Sequence, residues 1–259
     1  MSVSNSSSFS PAPVASPGYS QYLTTPAIAG IGMMPFYYGL EDKSKLQTGL
    51  SPAVRSLRQK VSAGFTPKVP VTVGAIVGGQ LLLQQGIESR IFSKQPGIPL
   101  PLSETVASSA AVALVTSPAL AVFNGYTTGK TIGASFRELS IPQVRKIVGK
   151  ETAFVVGVSS GEWVAEQVKK HAEIDPEQKV LNKVVDYTAA GVSGALGSVG
   201  GHPFDTGLTR LQNNPPLAML SIKDSFKAGL VPRTKAVAGL SLAIKVGKDV
   251  VDYVTNSPK

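Results

Sequence analysis

The sequence predicts an all-α membrane protein of six transmembrane helices, arranged as three pseudo-threefold repeats with short surface helices between them. Three observations carry that expectation. Residues 63–74, 141–149 and 228–239 resemble one another, each placing a Gly seven positions after a Pro: Pro67 and Gly74, Pro142 and Gly149, Pro232 and Gly239. A second element precedes two of them, Pro35-Phe36-Tyr37-Tyr38-Gly39-Leu40 and Pro203-Phe204-Asp205-Thr206-Gly207-Leu208, and Pro118 stands in a similar place before the middle copy. The three prolines are 75 and 90 residues apart, well beyond the roughly 20–50 of a solenoid unit, so each copy is read as a multi-helix module. The third observation is composition. Of 259 residues 42% are hydrophobic, 16% are charged and 26 are Gly, a poor coat for a soluble helical protein. Mean hydropathy is only +0.13, so the membrane reading requires helices with one polar face toward a wet interior; a soluble helical protein is the competing reading.

Residues 1–20 read as a disordered Ser/Pro-rich N-terminus, 21–95 as a degenerate first repeat, 96–178 as the second and 179–255 as the third. In the first, the apolar run from Pro13 to Leu40 is punctuated by Pro17, Pro26 and Pro35, each of which removes a backbone donor, so a kinked or partly unwound helix is expected. Ser51 as N-cap and Pro52 at the first helical position predict a short amphipathic helix through Lys60. Val69 to Ile91 is a span by length. In the second repeat, Val106 to Phe123 carries no charge and is the clearest span. A loop through Gly125, Gly129 and Gly133 leads to a short element at 134–139, and a helix from Pro142 to His171 ends on Lys169, Lys170 and His171, which complement the helix dipole. The third repeat starts near Leu181. Its Gly191, Gly194 and Gly197 recur at helical spacing, and Gly197 with Gly201 is a small-residue pair that lets backbones approach. A short amphipathic helix at 221–227 and a last helix from Pro232 to about Val254 complete the pattern.

The chain carries 25 Lys and Arg against 16 Asp and Glu, a net charge of +9. That balance favours an anionic solute or acidic lipid over neutral partners. Nucleic acid is not expected, because the cations are dispersed and no aromatic-interleaved basic cluster occurs. With no Cys and only His171 and His202, neither a metal site nor another cofactor is expected, and the chain is not read as an enzyme. No charge precedes Glu41, so neither a secretory signal nor an Arg-rich presequence is expected, and any organelle address is expected within the helices.

Pro203-Phe204-Asp205-Thr206-Gly207-Leu208-Thr209-Arg210-Leu211-Gln212 resembles the signature of the mitochondrial carrier family, Pro-x-Asp/Glu-x-x-Lys/Arg-x-Lys/Arg-x-Gln: Pro203, Asp205, Arg210 and Gln212 match, while Leu208 replaces a base. The following 226–233 stretch looks like its family continuation. The resemblance runs from about Gln21 to Val254, strong in the third repeat, fair in the second and weak in the first. It implies a monomeric, multi-pass solute carrier of the mitochondrial inner membrane, with cardiolipin among its lipids. In the family, kinks at the positions of Pro35, Pro118 and Pro203 gather the odd-numbered helices, and a ring of ion pairs closes a gate. Here Tyr37 and Leu120 stand at the other two acidic positions, and Leu40, Phe123 and Leu208 at the basic ones. The ring is therefore not expected to form as the family builds it, and Asp205, Arg210 and Gln212 are what remains of the gate. Glu162 and Asp252 lie near even-helix ends, where the family carries a second network. The family's solute site lies on the even-numbered helices, a few residues after the starting Pro. The positions three after each Pro are Pro70, Arg145 and Lys235; Arg145 and Lys235, with Lys146, are the expected anion site, and Lys150 and Lys245 add to the field.

The leading functional expectation is alternating-access transport of an anionic metabolite, such as a nucleotide. The alternative is a carrier-derived receptor, insertion factor or adaptor that no longer transports. The outer membrane and a host's mitochondrion are alternative locations. Residues 124–131 superficially resemble a phosphate-binding loop, but Asn124 stands where that loop needs a Gly. His202 and Asp205 lack a nucleophile-elbow pattern. Trp163 and Tyr253 read as interfacial anchors or simple packing.

Overall fold

The computed structural model describes residues 19–94, 98–127, 131–213 and 215–256. Among them there is no strand, and the chain is all-α. The elements are α1 (Tyr19–Met33), α2 (Tyr37–Gln47), α3 (Leu57–Ser62), α4 (Lys68–Val73), α5 (Gly79–Ile91), α6 (Leu102–Thr127), α7 (Ile132–Arg137), α8 (Ile141–Ser159), α9 (Gly161–His171), α10 (Lys179–Gln212), α11 (Ile222–Lys227) and α12 (Leu230–Asn256). A 3-10 turn at Met34–Phe36 joins α1 to α2, and a π turn at Gly74–Gly78 joins α4 to α5. Most of the expected 1–20 tail lies outside the described residues; Tyr19 and Ser20 already belong to α1.

Local chemistry explains the boundaries. Pro35 sits at the start of the 3-10 turn, where its missing N–H would otherwise leave a gap in the ladder, and the long helix bends there. Pro118 and Pro203 lie inside α6 and α10 without ending them. The expected cap at Ser51 moves to Ser56. The side chain of Ser56 accepts from the N–H of Gln59 at 3.3 Å while the side chain of Gln59 accepts from the N–H of Ser56 at 3.0 Å. Ser51 has Val54 three residues on and cannot build such a box. Thr131 and Ser221 cap α7 and α11, accepting from the N–H groups of Ala134 and Asp224, so α3, α7 and α11 each begin on a hydroxyl. The expected continuous helix from 142 to 171 is interrupted at Ser160, within a run of Ser and Gly that favours helix ends over interiors.

The long helices pack as a closed ring. α1 lies on α4 and the π turn, α5 on α6, α6 on α8, α8 and α9 on α10, and α10 on α12, which returns to α1 and α2. α10 also meets α2 and α6 across the ring. Close approach requires glycine at the α8–α10 crossing: a Cβ on Gly157 would lie 2.6 Å from the Cα of Gly197. This is the small-residue contact expected of Gly197.

The interior of the ring is mixed, burying many polar side chains beside apolar ones, and large apolar side chains are exposed outside. Gln47, Gln80, Gln84, Glu88, Ser108, Ser109 and His202 are buried, together with Glu151, Asp205 and Arg233. Ile31, Val71, Leu114, Val115, Leu196 and Val231 are more than 60% exposed on the outside. Apolar side chains also fill part of the interior, Met33, Val73, Val77 and Leu240 in one cluster and Leu120, Ile147 and Leu208 in another. Among the described residues one helix, over Leu102–Val122, is long and apolar enough to cross a membrane by its hydropathy, with a mean of 1.7. The other expected spans fall short for two reasons: α1, α4 and α5 have only 15, 6 and 13 residues, while α10 carries Asp205 and Arg210 and α12 carries Arg233 and Lys245.

Candidate functional site

Inside the ring, α2, α8, α10 and α12 bring five charged side chains to one place. Asp205 is the hub. Its Oδ2 is 2.8 Å from the Nζ of Lys43 and accepts from the Nε2 of Gln47 at 2.9 Å. Lys150 and Arg233 approach the same carboxylate at 3.8 Å. Lys150 is also 2.8 Å from the Oε1 of Glu151, whose Oε2 accepts from the Nε2 of Gln80 at 3.0 Å. Asp205, Glu151 and Arg233 are each no more than 5% exposed. Charges this deep are strongly coupled, and removing one partner leaves another charge uncompensated in a poorly solvated place.

Helix register places each group. Gln143, Ile147, Glu151 and Val155 form the inward i, i+4 stripe of α8. Gly201, Asp205, Leu208 and Gln212 form that of α10. On α2, Lys43 and Gln47 are one turn apart and both reach Asp205. Arg233 lies in the first turn of α12, and its Nη1 donates to the Ser198 carbonyl at 2.8 Å. The residues surround a cavity of about 150 Å³ whose remaining wall is mostly apolar, including Leu120, Phe154 and Leu240, with Asn124 as a polar member.

Three of the residues expected from the family signature join the site or tie the helices around it. Asp205 is its hub, Arg210 donates to the carbonyl of Gln47 at 2.8 Å, and the Nε2 of Gln212 donates to the carbonyl of Ala121 at 3.1 Å. These bonds link α10 to α2 and to α6. Lys43 follows Leu40 by three residues, so it lies about one turn farther along the same helix face, where it pairs with Asp205. Pro35, Pro118 and Pro203 do not touch the charged cluster; their contribution is the backbone.

Of the residues expected to hold an anion, none joins the Asp205 cluster. Arg145 and Lys235 are exposed on the outside of the ring, and Lys146 points at α10, its Nζ 5.7 Å from the Phe204 ring. Arg145 follows the inward Gln143 by two residues, about 200° around the helix, and Lys235 follows Arg233 by the same interval. Counting three from each Pro therefore selects a different helix face from the one that carries Gln143 and Arg233. Lys150 does line the cavity, whereas Lys245 lies near the opposite end of the ring.

That opposite end carries its own charges. Lys94 pairs with Glu88 at 2.9 Å, Lys169 with Asp186 at 2.6 Å, and Asp249 with Lys183 at 2.5 Å and Lys245 at 3.2 Å. Glu162 lines a smaller cavity of about 80 Å³ there. Asp252 is exposed, and Asp249, one turn earlier, makes the interhelical contact that Asp252 does not. Of the residues resembling a phosphate loop, Asn124 belongs to α6 and 128–130 lie outside the described residues. His202 is fully buried beside Phe226, with ring centroids 6.4 Å apart, and Tyr253 is exposed on α12.

No protein-family model matches the chain, and no curated protein matches it in sequence.

Proposed function

We propose that this chain is a divergent mitochondrial carrier, a monomer whose six long helical segments embed in the mitochondrial inner membrane and move a small anionic metabolite by alternating access. The observation that carries the reading is a buried cluster of charges inside a closed ring whose outer face exposes large apolar side chains. Apolar side chains face outward, while Asp205, Glu151, Lys43, Lys150 and Arg233 meet inside. Charged side chains within membrane-spanning segments are costly and face a water-filled or paired interior, which is where these lie. A ring whose interior is partly polar also accounts for a low mean hydropathy without a soluble exterior.

In this reading Asp205 with its cations holds one end of the ring, and the Asp249 and Glu88 pairs hold the other. A carrier must open one end while the other stays shut. Charge pairs suit that task because a bound anion competes with Asp205 for the same cations and shifts the balance between the two closures. Lys43, Lys150 and Arg233 bind the cargo, Asp205 and Glu151 hold them when the site is empty, and the apolar wall excludes water.

Uptake of labelled anions into liposomes by the purified full-length chain tests the proposal. Saturable uptake that falls at least tenfold in Arg233→Met supports it. Folded protein that moves none of the anions would return the chain to the non-transporting adaptor reading. Resistance of the protein to carbonate extraction from membranes checks the embedding separately.

A further inference from the structure

The cavity has two features beyond a general preference for anions: a fixed charge imbalance, and one unused acceptor. Lys43, Lys150 and Arg233 face Asp205 and Glu151, three cations against two carboxylates, an excess of one positive charge. Among the described residues the excess is least satisfied at Arg233. Its guanidinium makes one hydrogen bond, to Ser198, and stays 3.8 Å from the nearest carboxylate oxygen. A planar fork with free donors matches a carboxylate.

The unused acceptor is Oε1 of Gln80, a side chain only 2% exposed. Its amide orientation is set by chemistry: the NH₂ must face the carboxylate of Glu151 at 3.0 Å, with the Thr116 hydroxyl at 3.4 Å. That leaves Oε1 buried and without a hydrogen-bond partner among the described residues, on a side chain that lines the cavity. A buried acceptor of this kind is destabilising until something donates to it. Gln80 and Lys150 hold the two oxygens of one Glu151 carboxylate, so the acceptor lies close to the cationic side of the cavity.

We infer that the cavity takes a short monocarboxylate bearing a hydroxyl group, its carboxylate on Arg233 and Lys150 and its hydroxyl donating to the Oε1 of Gln80. One negative charge neutralises the excess. The volume of about 150 Å³ equals about five waters at roughly 30 Å³ each, enough for a small acid. It is below the range of roughly 300–1,000 Å³ for sites that hold drug-sized molecules, and a nucleotide exceeds it in both size and charge. An α-amino acid has no net charge to offer and leaves the excess in place. The inference rests on the carrier reading for what the bound acid is for, but the binding site stands on the cavity alone.

The test is equilibrium calorimetry on the purified full-length protein in detergent with lactate, propionate and ATP, beside liposome uptake of the same compounds. Lactate is expected to bind one to one and about tenfold more tightly than propionate, the effect of one hydrogen bond to a buried acceptor, with ATP weakest. Gln80→Met should erase the roughly tenfold preference for lactate over propionate within that variant, while Arg233→Met weakens both acids alike and keeps the preference. Propionate binding as well as lactate, or ATP binding more tightly than either, overturns the inference, and the wild-type series decides this even if a variant fails to fold. Lactate binding without uptake overturns transport and leaves the site. ATP uptake without lactate binding overturns the site and leaves transport.

Discussion

Asp205 and Asp249 are each an aspartate held by several cations, and they sit at opposite ends of the helix ring. Asp205 lies 22 residues beyond Lys183 on α10, about 33 Å along the helix, and Lys183 is a partner of Asp249. The chemistry is the same at both ends, but the surroundings differ. The side chains of Lys43, Lys150, Arg233 and Asp205 are between 5% and 12% exposed, whereas Lys183 and Lys245 are 54% and 23% exposed around an Asp249 at 14%. Water competes for the Asp249 pairs and is largely absent from those of Asp205. Ion pairs at the two ends of one ring are thus expected to differ in strength because of burial, more than because of distance or geometry.

Removing the hub should have the largest effect. Asp205→Asn leaves three buried cations with Glu151 as their only carboxylate, and is expected to destabilise the protein by about 3–5 kcal/mol, read as a fall in the thermal unfolding midpoint in detergent. Lys43→Met should relieve part of that loss when added to Asp205→Asn, because it removes one of the stranded charges. Equal midpoints for Asp205→Asn and Asp249→Asn would break the comparison.

Glu88 sharpens it, because it lies at the Asp249 end yet is buried. Its carboxylate accepts from Gln84 at 2.7 Å and from Ser108 at 3.3 Å as well as pairing with the more exposed Lys94. Glu88→Gln is expected to fall between the two aspartates, at about 1–3 kcal/mol in the same unfolding measurement. If the end of the ring mattered instead of burial, Glu88→Gln would match Asp249→Asn. That last change should cost under about 1 kcal/mol and shrink further as salt is raised, while the loss in Asp205→Asn holds nearly constant, since mobile ions screen exposed charges far better than buried ones.

The sequence carries the order of elements more fully than it carries the site. Helices, kinks and short capped segments follow from local rules, and Pro35, the hydroxyl caps and the Gly197 contact are readable one stretch at a time. The cap at Ser56 was legible too, in the Gln three residues on. The inward face of α8 is harder to assign, because Gln143 and Glu151 are polar and Arg145 is polar as well. In a ring that buries polar side chains beside apolar ones, the usual guide of apolar residues facing inward does not decide the face. Asp205 stands in a recognisable motif, but its partner Lys43 lies 162 residues away on another helix, and only the closure of the ring brings them together. Gln80 gives no local signal; its role depends on Glu151, reached from α8.

The smallest effects test the register itself. Arg145 and Lys235 are exposed on the outer surface, so Arg145→Ala and Lys235→Ala are expected to change stability by no more than about 0.5 kcal/mol, and anion affinity by less than about twofold. Arg233 is only two residues before Lys235 and carries the same charge, yet its replacement by Met should abolish most anion binding. The pair of variants therefore isolates facing from charge. Calorimetry that found Lys235→Ala as damaging as Arg233→Met would mean that both sides of α12 serve the anion, and would move the binding site out of the ring toward the groove where Lys235 lies beside Tyr38 and Lys60.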